Sequence, residues 1–315
     1  MEIIGIDLGS NSLRGVRMRA IEAESHNDFI VVGEYDTTVR TAEGLERSGE
    51  ICQSAKERVI AGLLELKQAL HITPQDKVVA LTTQAMRKAR NREEVLQEIW
   101  DFTQIRFLVI SGAKEAEITS LAPKIAAKKI ARENPKYKQD CFLLIDMGGA
   151  SSEFIVCNSD KDLAKSFEIG IVSAKDRYKS VENLLVHKEE FLQPMVDFIQ
   201  ECAKQGKKPQ FMMANSGTPT MVCAFKMGLR EYDAKAIFGT ELTREDFQVE
   251  LAKFLELSKE SQIGLVGMFK ADVVPFGIAL FTCFMEALGF GECLVVDEGL
   301  REGAVIAHTL GLLES

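Results

Sequence analysis

The strongest constraint on the fold is a unit that occurs twice. From Ile3 a short apolar run ends in Asp7, a turn-forming cluster Gly9-Ser10-Asn11-Ser12 follows, and Leu13 to Ile21 alternate apolar and basic residues. Near residue 141 the order returns. Cys141 to Ile145 is apolar, Asp146 closes the run, Gly148-Gly149-Ala150-Ser151-Ser152 makes the turn, and Glu153 to Asn158 reads as a strand. Alternation marks strands, and Gly/Ser/Asn clusters between strands mark hairpin turns. One such turn is a plain hairpin. Two of them, each after an acid-ended strand and a domain's length apart, indicate a duplicated domain. The short periods of solenoids, about 20–50 residues, do not fit this spacing.

The length of 315 residues agrees, since domains average about 150 residues. Hydrophobic residues at 46% and charged residues at 27% are ordinary for a soluble globular protein and exclude disordered, collagen-like and coiled-coil chains. The net charge of −9 argues against DNA or an acidic membrane as a partner, while leaving room for a local basic cleft. The longest apolar run, Val273 to Met285, is broken by Pro275 and Gly277 and is too short to cross a bilayer. The opening Met1-Glu2-Ile3-Ile4-Gly5 has no basic segment, so no signal peptide is expected. The seven cysteines are scattered without a CxxC pair and read as buried reduced thiols, which points to the cytoplasm. The four histidines, His26, His71, His187 and His308, have no ligand-spaced partners and read as structural or exposed.

Between the two turn units the pattern predicts a strand at Phe29 to Glu34, a helix over Cys52 to Leu70 and a strand at Lys77 to Leu81. Next come one or two helices over Thr83 to Phe102 with Asn91 as a cap, a strand at Ile105 to Ile110, and a helix over Glu115 to Arg132. Beyond the second turn it predicts a strand at Leu163 to Ile169, a helix from Lys188 to Ala203, and a strand at Phe211 to Ala214. A capped helix begins at Thr243, a strand ends at Asp297, and a final helix follows Gly299 to about Leu312.

The turns carry the chemistry. Gly and small hydroxyl residues let several backbone N–H groups converge on a phosphate. Ser10, Asn11, Ser12, Ser151 and Ser152 add side-chain donors, and Asp7 and Asp146 at the strand ends can hold a divalent cation. No GK[ST] follows either turn, so neither is a Walker loop. A strand follows each, so neither is a dinucleotide fingerprint.

Six motifs in order then identify a resemblance. They are Gly5-Ile6-Asp7-Leu8-Gly9-Ser10-Asn11-Ser12, Thr82-Thr83-Gln84-Ala85-Met86-Arg87-Lys88-Ala89-Arg90-Asn91 and Ile110-Ser111-Gly112-Ala113-Lys114-Glu115-Ala116, followed by Ile145-Asp146-Met147-Gly148-Gly149-Ala150-Ser151-Ser152-Glu153, Ser216-Gly217-Thr218-Pro219-Thr220 and Gly299-Leu300-Arg301-Glu302-Gly303. Across nearly its whole length the chain resembles the exopolyphosphatase / guanosine pentaphosphate phosphohydrolase family of the actin-like ATPase superfamily, in a short two-domain form ending at Ser315. The resemblance implies two RNase H-like α/β domains with mixed five-stranded sheets and an active site in the interdomain cleft. Domain I is expected over residues 1–120 plus 300–315 and domain II over 121–299, with hinges near Gly112 and Gly299.

It also implies roles. Glu115, the surviving acid of a Gly-x-Glu-Glu-Ala pattern, activates the attacking water. Glu153 assists it, and Asp146 and Asp7 bind Mg2+. Arg87 contacts phosphate, together with Ser10, Asn11, Ser12, Gly148, Gly149, Ala150, Ser151, Ser152, Ser216, Gly217 and Thr218. Arg14 could point either way, and Arg301 reads as structural. The implied activity is release of terminal orthophosphate from inorganic polyphosphate. Guanosine pentaphosphate hydrolysis, a sensor of nucleotide or phosphate with little turnover, and a sugar kinase are the other readings. The substrate is the expected partner, without DNA or membrane, and a homodimer stays open. Three departures from the family pattern keep the sensor reading open. Lys114 replaces the first acid, Ala150 a third glycine, and Ser173 an arginine.

Overall fold

β1 (Glu2–Leu8) is buried on both faces along most of its length, as a strand covered on two sides must be. It lies at the middle of a five-stranded sheet. β2 (Ser12–Ala20) pairs with it antiparallel and β3 (Phe29–Thr38) follows β2. On the other side β4 (Lys77–Thr82) and β5 (Phe107–Val109) run parallel to it, giving the order β3-β2-β1-β4-β5. The helices of this part are α1 (Leu45–Ser48), α2 (Gln53–Ala69), α3 (Gln84–Lys88), α4 (Arg92–Thr103) and α5 (Gly112–Thr119). In this computed structural model the chain divides into two compact units, Met1–Ile125 with Glu298–Ser315, and Ala126–Asp297. The structure describes residues 2–20, 29–268 and 270–313. Ile21, the expected end of β2, and His26 lie outside them.

After α6 (Leu121–Glu133), the second unit repeats the plan. β6 (Cys141–Met147) has the same burial pattern as β1, position by position. β7 (Ser152–Asn158) pairs with it antiparallel, β8 (Leu163–Phe167) follows β7, and β9 (Met212–Ala214) pairs with β6 in parallel. The helices α7 (Ile171–Tyr178), α8 (Val181–Val186), α9 (Lys188–Lys204), α10 (Gly217–Met227), α11 (Ala234–Ile237), α12 (Arg244–Glu256), α13 (Lys259–Val266) and α14 (Val274–Ala287) belong to this unit. The sheet order β10-β11-β9-β6-β7-β8 adds β10 (Thr240–Thr243) and β11 (Glu292–Val295). The expected five strands are therefore six here. Thr243 does cap α12, in a capping box with Asp246, but the four residues ending at that cap also pair antiparallel with β11. A strand that short is stabilised by its distant partner and leaves no local periodicity.

Several boundaries differ for local reasons. The expected helix over Glu115 to Arg132 is two helices, parted at Ser120. Asn91 precedes α4 without a side-chain cap, because its amide is spent on both backbone groups of Ile51. The apolar run from Val273 is α14, whose buried residues join the core of the second unit. Among the described residues no helix is long and apolar enough to cross a membrane. The cysteines are all free thiols, five of them buried.

α15 (Leu300–Thr309) returns to the first unit and packs on β1. The contact is backbone on backbone: a Cβ on Gly5 would lie 2.0 Å from the Arg301 carbonyl oxygen, and one on Gly303 would lie 2.1 Å from that of Ile118 in α5. Side chains alternate along a strand, so Ile4, Ile6 and Leu8 join the α2 and α4 side, while Ile3 joins Leu300 and Val305. Gly5 and Asp7 share the face of Ile3. Gly5→Ala and Gly303→Ala should each lower stability by about 1–3 kcal/mol or more through overpacking. Gly264→Ala, in α13 with open space around it, should raise stability by up to about 1 kcal/mol through helix propensity. Denaturant unfolding of the three variants checks this.

Candidate functional site

In the first unit three parallel strands, β1, β4 and β5, end at one edge of the sheet, and each leads into a candidate residue set. Past β1, the turn is closed by the Gly9 N–H donating to the Ser12 carbonyl at 2.9 Å. The Asn11 carbonyl accepts from the Val39 and Arg40 amides, and the Ser10 carbonyl from Ala42, so the segment after β3 clamps the turn. The amides of Ser10 and Asn11 donate to no backbone carbonyl among the described residues. Neither Gly9 nor the glycines of the second turn has a positive φ.

Past β4 and β5 lies an ion pair. Arg87 on α3 donates from Nη1 to Glu115 Oε2 at 2.7 Å and to the Ile110 carbonyl at 2.8 Å, and from Nη2 to Gln84 Oε1 at 2.9 Å. Glu115, in the N-terminal part of α5, is only 7% exposed. Ser111 caps α5 by accepting from the Lys114 amide. The Lys114 ammonium, next to Glu115 in sequence, reaches both oxygens of Glu117 at 3.1–3.2 Å, one helical turn along.

Asp7 stands directly opposite Arg14, which stands opposite Asp36 and pairs with it at 3.2 Å. Arg14 thus belongs to an acid–base–acid row across three strands. Arg301 is 3% exposed, donates to Glu302 at 2.5 Å and lies 3.6 Å from Glu34. Glu302 in turn accepts from the Gly299 amide at 2.8 Å. These contacts make Arg301 a structural element of the first unit.

The second unit holds the matching turn. The Gly148 N–H donates to the Ser151 carbonyl at 2.9 Å, as in the first copy. Here the clamp is the start of α7. Its Ile171, Val172 and Ser173 amides donate to the carbonyls of Gly148 and Gly149, and Gly170 lies so close that a Cβ would fall 2.4 Å from the Gly148 oxygen. The amides of Gly149, Ala150 and Ser151 donate to no backbone carbonyl among the described residues, which leaves three donors in one turn. Ala150 has no positive φ, so alanine costs nothing there. Ser173, expected to mark only a missing arginine, holds the turn in place. Its hydroxyl accepts from the Gly170 amide at 2.9 Å and donates to the Ala150 carbonyl at 3.1 Å.

The other residues of this unit divide by what they touch. The Ser152 hydroxyl donates to the Ile169 carbonyl at 2.6 Å, so that proton is committed inside the unit. Thr218 packs its hydroxyl against Gly277 of α14. Ser216, ahead of α10 and 4% exposed, keeps a buried hydroxyl without a hydrogen-bond partner among the described residues, beside the open Gly217. Asp146 and Glu153 stand directly opposite each other on β6 and β7. Glu153 is 2% exposed and accepts from the Ser166 hydroxyl at 2.7 Å.

Two carboxylates opposite each other on one sheet face repel unless a cation joins them. Mg2+ takes one or two carboxylates and keeps its other positions for water and phosphate, so this pair fits it. Asp7 stands opposite a basic residue, Arg14, and not a second acid. Among the described residues no three His, Cys, Asp or Glu side chains are grouped to hold a metal by themselves. Gln84 and Ser166 were not among the expected site residues. Gln84 had a signal, standing three positions before Arg87 on one helix face, whereas Ser166 depends on strand register.

Known proteins resemble this chain in sequence and in fold. A sequence model of the Ppx/GppA phosphatase family matches residues 20–311. A Haemophilus influenzae protein provisionally named an exopolyphosphatase is 25% identical over 312 residues, covering 96% of this chain and 90% of that one. A Fusobacterium nucleatum bifunctional 3-dehydroquinate synthase/phosphatase is 23% identical over 310 residues, 96% of this chain but 46% of that protein, so the chain spans about half of that relative. Among solved structures, an exopolyphosphatase from Cytophaga hutchinsonii has a TM-score of 0.79 at 21% identity, covering 99% of this chain and 98% of that one. The Aquifex aeolicus Ppx/GppA family member has 0.69 at 23% identity, covering 100% and 99%. The likeness to these structures establishes the fold.

The clamp on the second turn can be tested directly. Ser173→Ala should cost about 1 kcal/mol, the usual loss for a capping hydroxyl, and speed hydrogen exchange at the Ile171, Val172 and Ser173 amides.

Proposed function

Because the chain belongs to the Ppx/GppA phosphatase family, we propose that it releases terminal orthophosphate from inorganic polyphosphate, with Glu115 as the base that activates water. The observation that carries this reading is the buried Glu115–Arg87 pair at the ends of β4 and β5. A carboxylate held by a guanidinium is a weak base, since the pair stabilises its charged form. An arriving phosphate competes for Arg87 through charge-assisted hydrogen bonds and leaves Glu115 to take a proton from water. The water oxygen then bonds to the terminal phosphorus, and the bridging oxygen departs with the electrons of the broken P–O bond.

The amides of Ser10 and Asn11, with Ser12, in the first unit and the amides of Gly149, Ala150 and Ser151, with Ser216 and Gly217, in the second are the proposed phosphate-binding groups of each unit taken by itself. Asp146 and Glu153 would hold Mg2+, which when bound neutralises charge on those oxygens. Asp7, opposite Arg14, is assigned instead to orienting that guanidinium.

Polyphosphate is placed ahead of guanosine pentaphosphate because relatives on two lines bear exopolyphosphatase names. Ala150 has no positive φ, which supports an intact second turn over the sensor reading.

Phosphate release from polyphosphate, guanosine pentaphosphate and ATP in the presence of Mg2+ tests the reading, with the highest kcat/KM expected on polyphosphate. A higher value on guanosine pentaphosphate would reassign the substrate, and tight binding without release would favour the sensor. Glu115→Gln should reduce kcat by about 10²–10⁴ with an unchanged melting temperature. Turnover near wild type in that variant would overturn the assignment of the base.

A further inference from the structure

We infer that Gln84 is a substrate-binding residue, its side-chain amide donating to an oxygen of the phosphoryl group that Arg87 engages. The inference rests on the phosphohydrolase reading and adds to it a residue that sets affinity for condensed phosphates. Arg87 Nη2 lies 2.9 Å from the Gln84 side chain. A guanidinium only donates, so the atom facing it is the amide oxygen, and the orientation of the amide follows from chemistry. Nε2 therefore points away from Arg87 as a donor. Gln84 is 6% exposed, and Nε2 is buried without a hydrogen-bond partner among the described residues. A buried donor left unpaired is costly, and most such groups in folded proteins have a partner.

The surroundings indicate the missing acceptor. Gln84 follows β4, the strand beside β1, and at this same edge the Thr41 hydroxyl is also buried without a hydrogen-bond partner among the described residues. Thr41 lies in the segment whose amides clamp the first glycine turn. Two side-chain donors of one unit are thus unsatisfied around the turn and the ion pair among the described residues. A phosphate oxygen is an acceptor with several lone pairs and can answer a side-chain amide, a hydroxyl and a guanidinium together. Gln84 also has a fixed relation to Arg87: its oxygen holds the guanidinium while its nitrogen is left for the ligand.

Gln84→Glu separates the two roles. The carboxylate keeps an acceptor for Arg87, so packing and melting temperature should be retained, but the donor becomes a negatively charged acceptor. Calorimetric titration with tripolyphosphate in Mg2+ buffer should give a Kd raised about tenfold or more. The KM for phosphate release should rise in parallel. Gln84→Ala, which removes both groups, should weaken binding as well and carries the test if the Glu variant melts early.

Binding of tripolyphosphate as in wild type by both variants would overturn the inference. If wild type binds tripolyphosphate and releases no orthophosphate, the hydrolase reading fails while the Kd of Gln84→Glu still decides the role of Gln84. If wild type neither binds nor releases, both fall.

Discussion

The guanidinium of Arg87 gathers three pieces of chain that are distant in sequence. It bonds the carbonyl at the end of β5, the carboxylate of α5 and the side-chain oxygen that opens α3. The peptide groups at the ends of parallel strands need partners once the ladder runs out, and loops starting there converge at one edge. A planar donor with a fixed fork can serve several of them together. The same hydrogen bonds that finish the sheet also hold the Glu115 carboxylate in place. Structure and candidate chemistry therefore share one set of contacts, and a ligand able to bind Arg87 would alter both.

The two units show what a duplicated architecture preserves and what it lets change. Both turns are closed by the same amide-to-carbonyl bond, from Gly9 to Ser12 and from Gly148 to Ser151. Both leave consecutive amides without a backbone acceptor. The rows beside them have diverged. Asp7, Arg14 and Asp36 balance acid against base, whereas Asp146, Glu153 and Ser166 set two acids together with a hydroxyl. The first row places a guanidinium between its two acids, and the second places a hydroxyl beside them.

The glycines of the motifs divide by packing demand. Gly5, Gly170 and Gly303 are required by main chain lying where a side chain would be, a purely steric demand. Gly217 has open space around it, so no packing demand requires a glycine there. Sequence treats these glycines alike, because the letter is the same. Ser152 and Ser216 show the same limit. The first hydroxyl is bonded to the chain at Ile169, and the second is not bonded among the described residues.

From sequence alone came the duplication, the acid at the end of each central strand, most elements, and the motifs bearing Arg87 and Glu115. These features are local: alternation, helical spacing and turn residues act between near neighbours. Tertiary structure decided the sixth strand, the split at Ser120, the pairing of Lys114 with Glu117, the clamp by Ser173, and the amide of Gln84 buried beside Arg87. Each depends on which strand lies next to which and in what register, so that residues far apart in the chain compete for the same partner. A one-dimensional pattern can name the groups that carry charge or hydrogen bonds, but which group satisfies which is settled only when the sheets close.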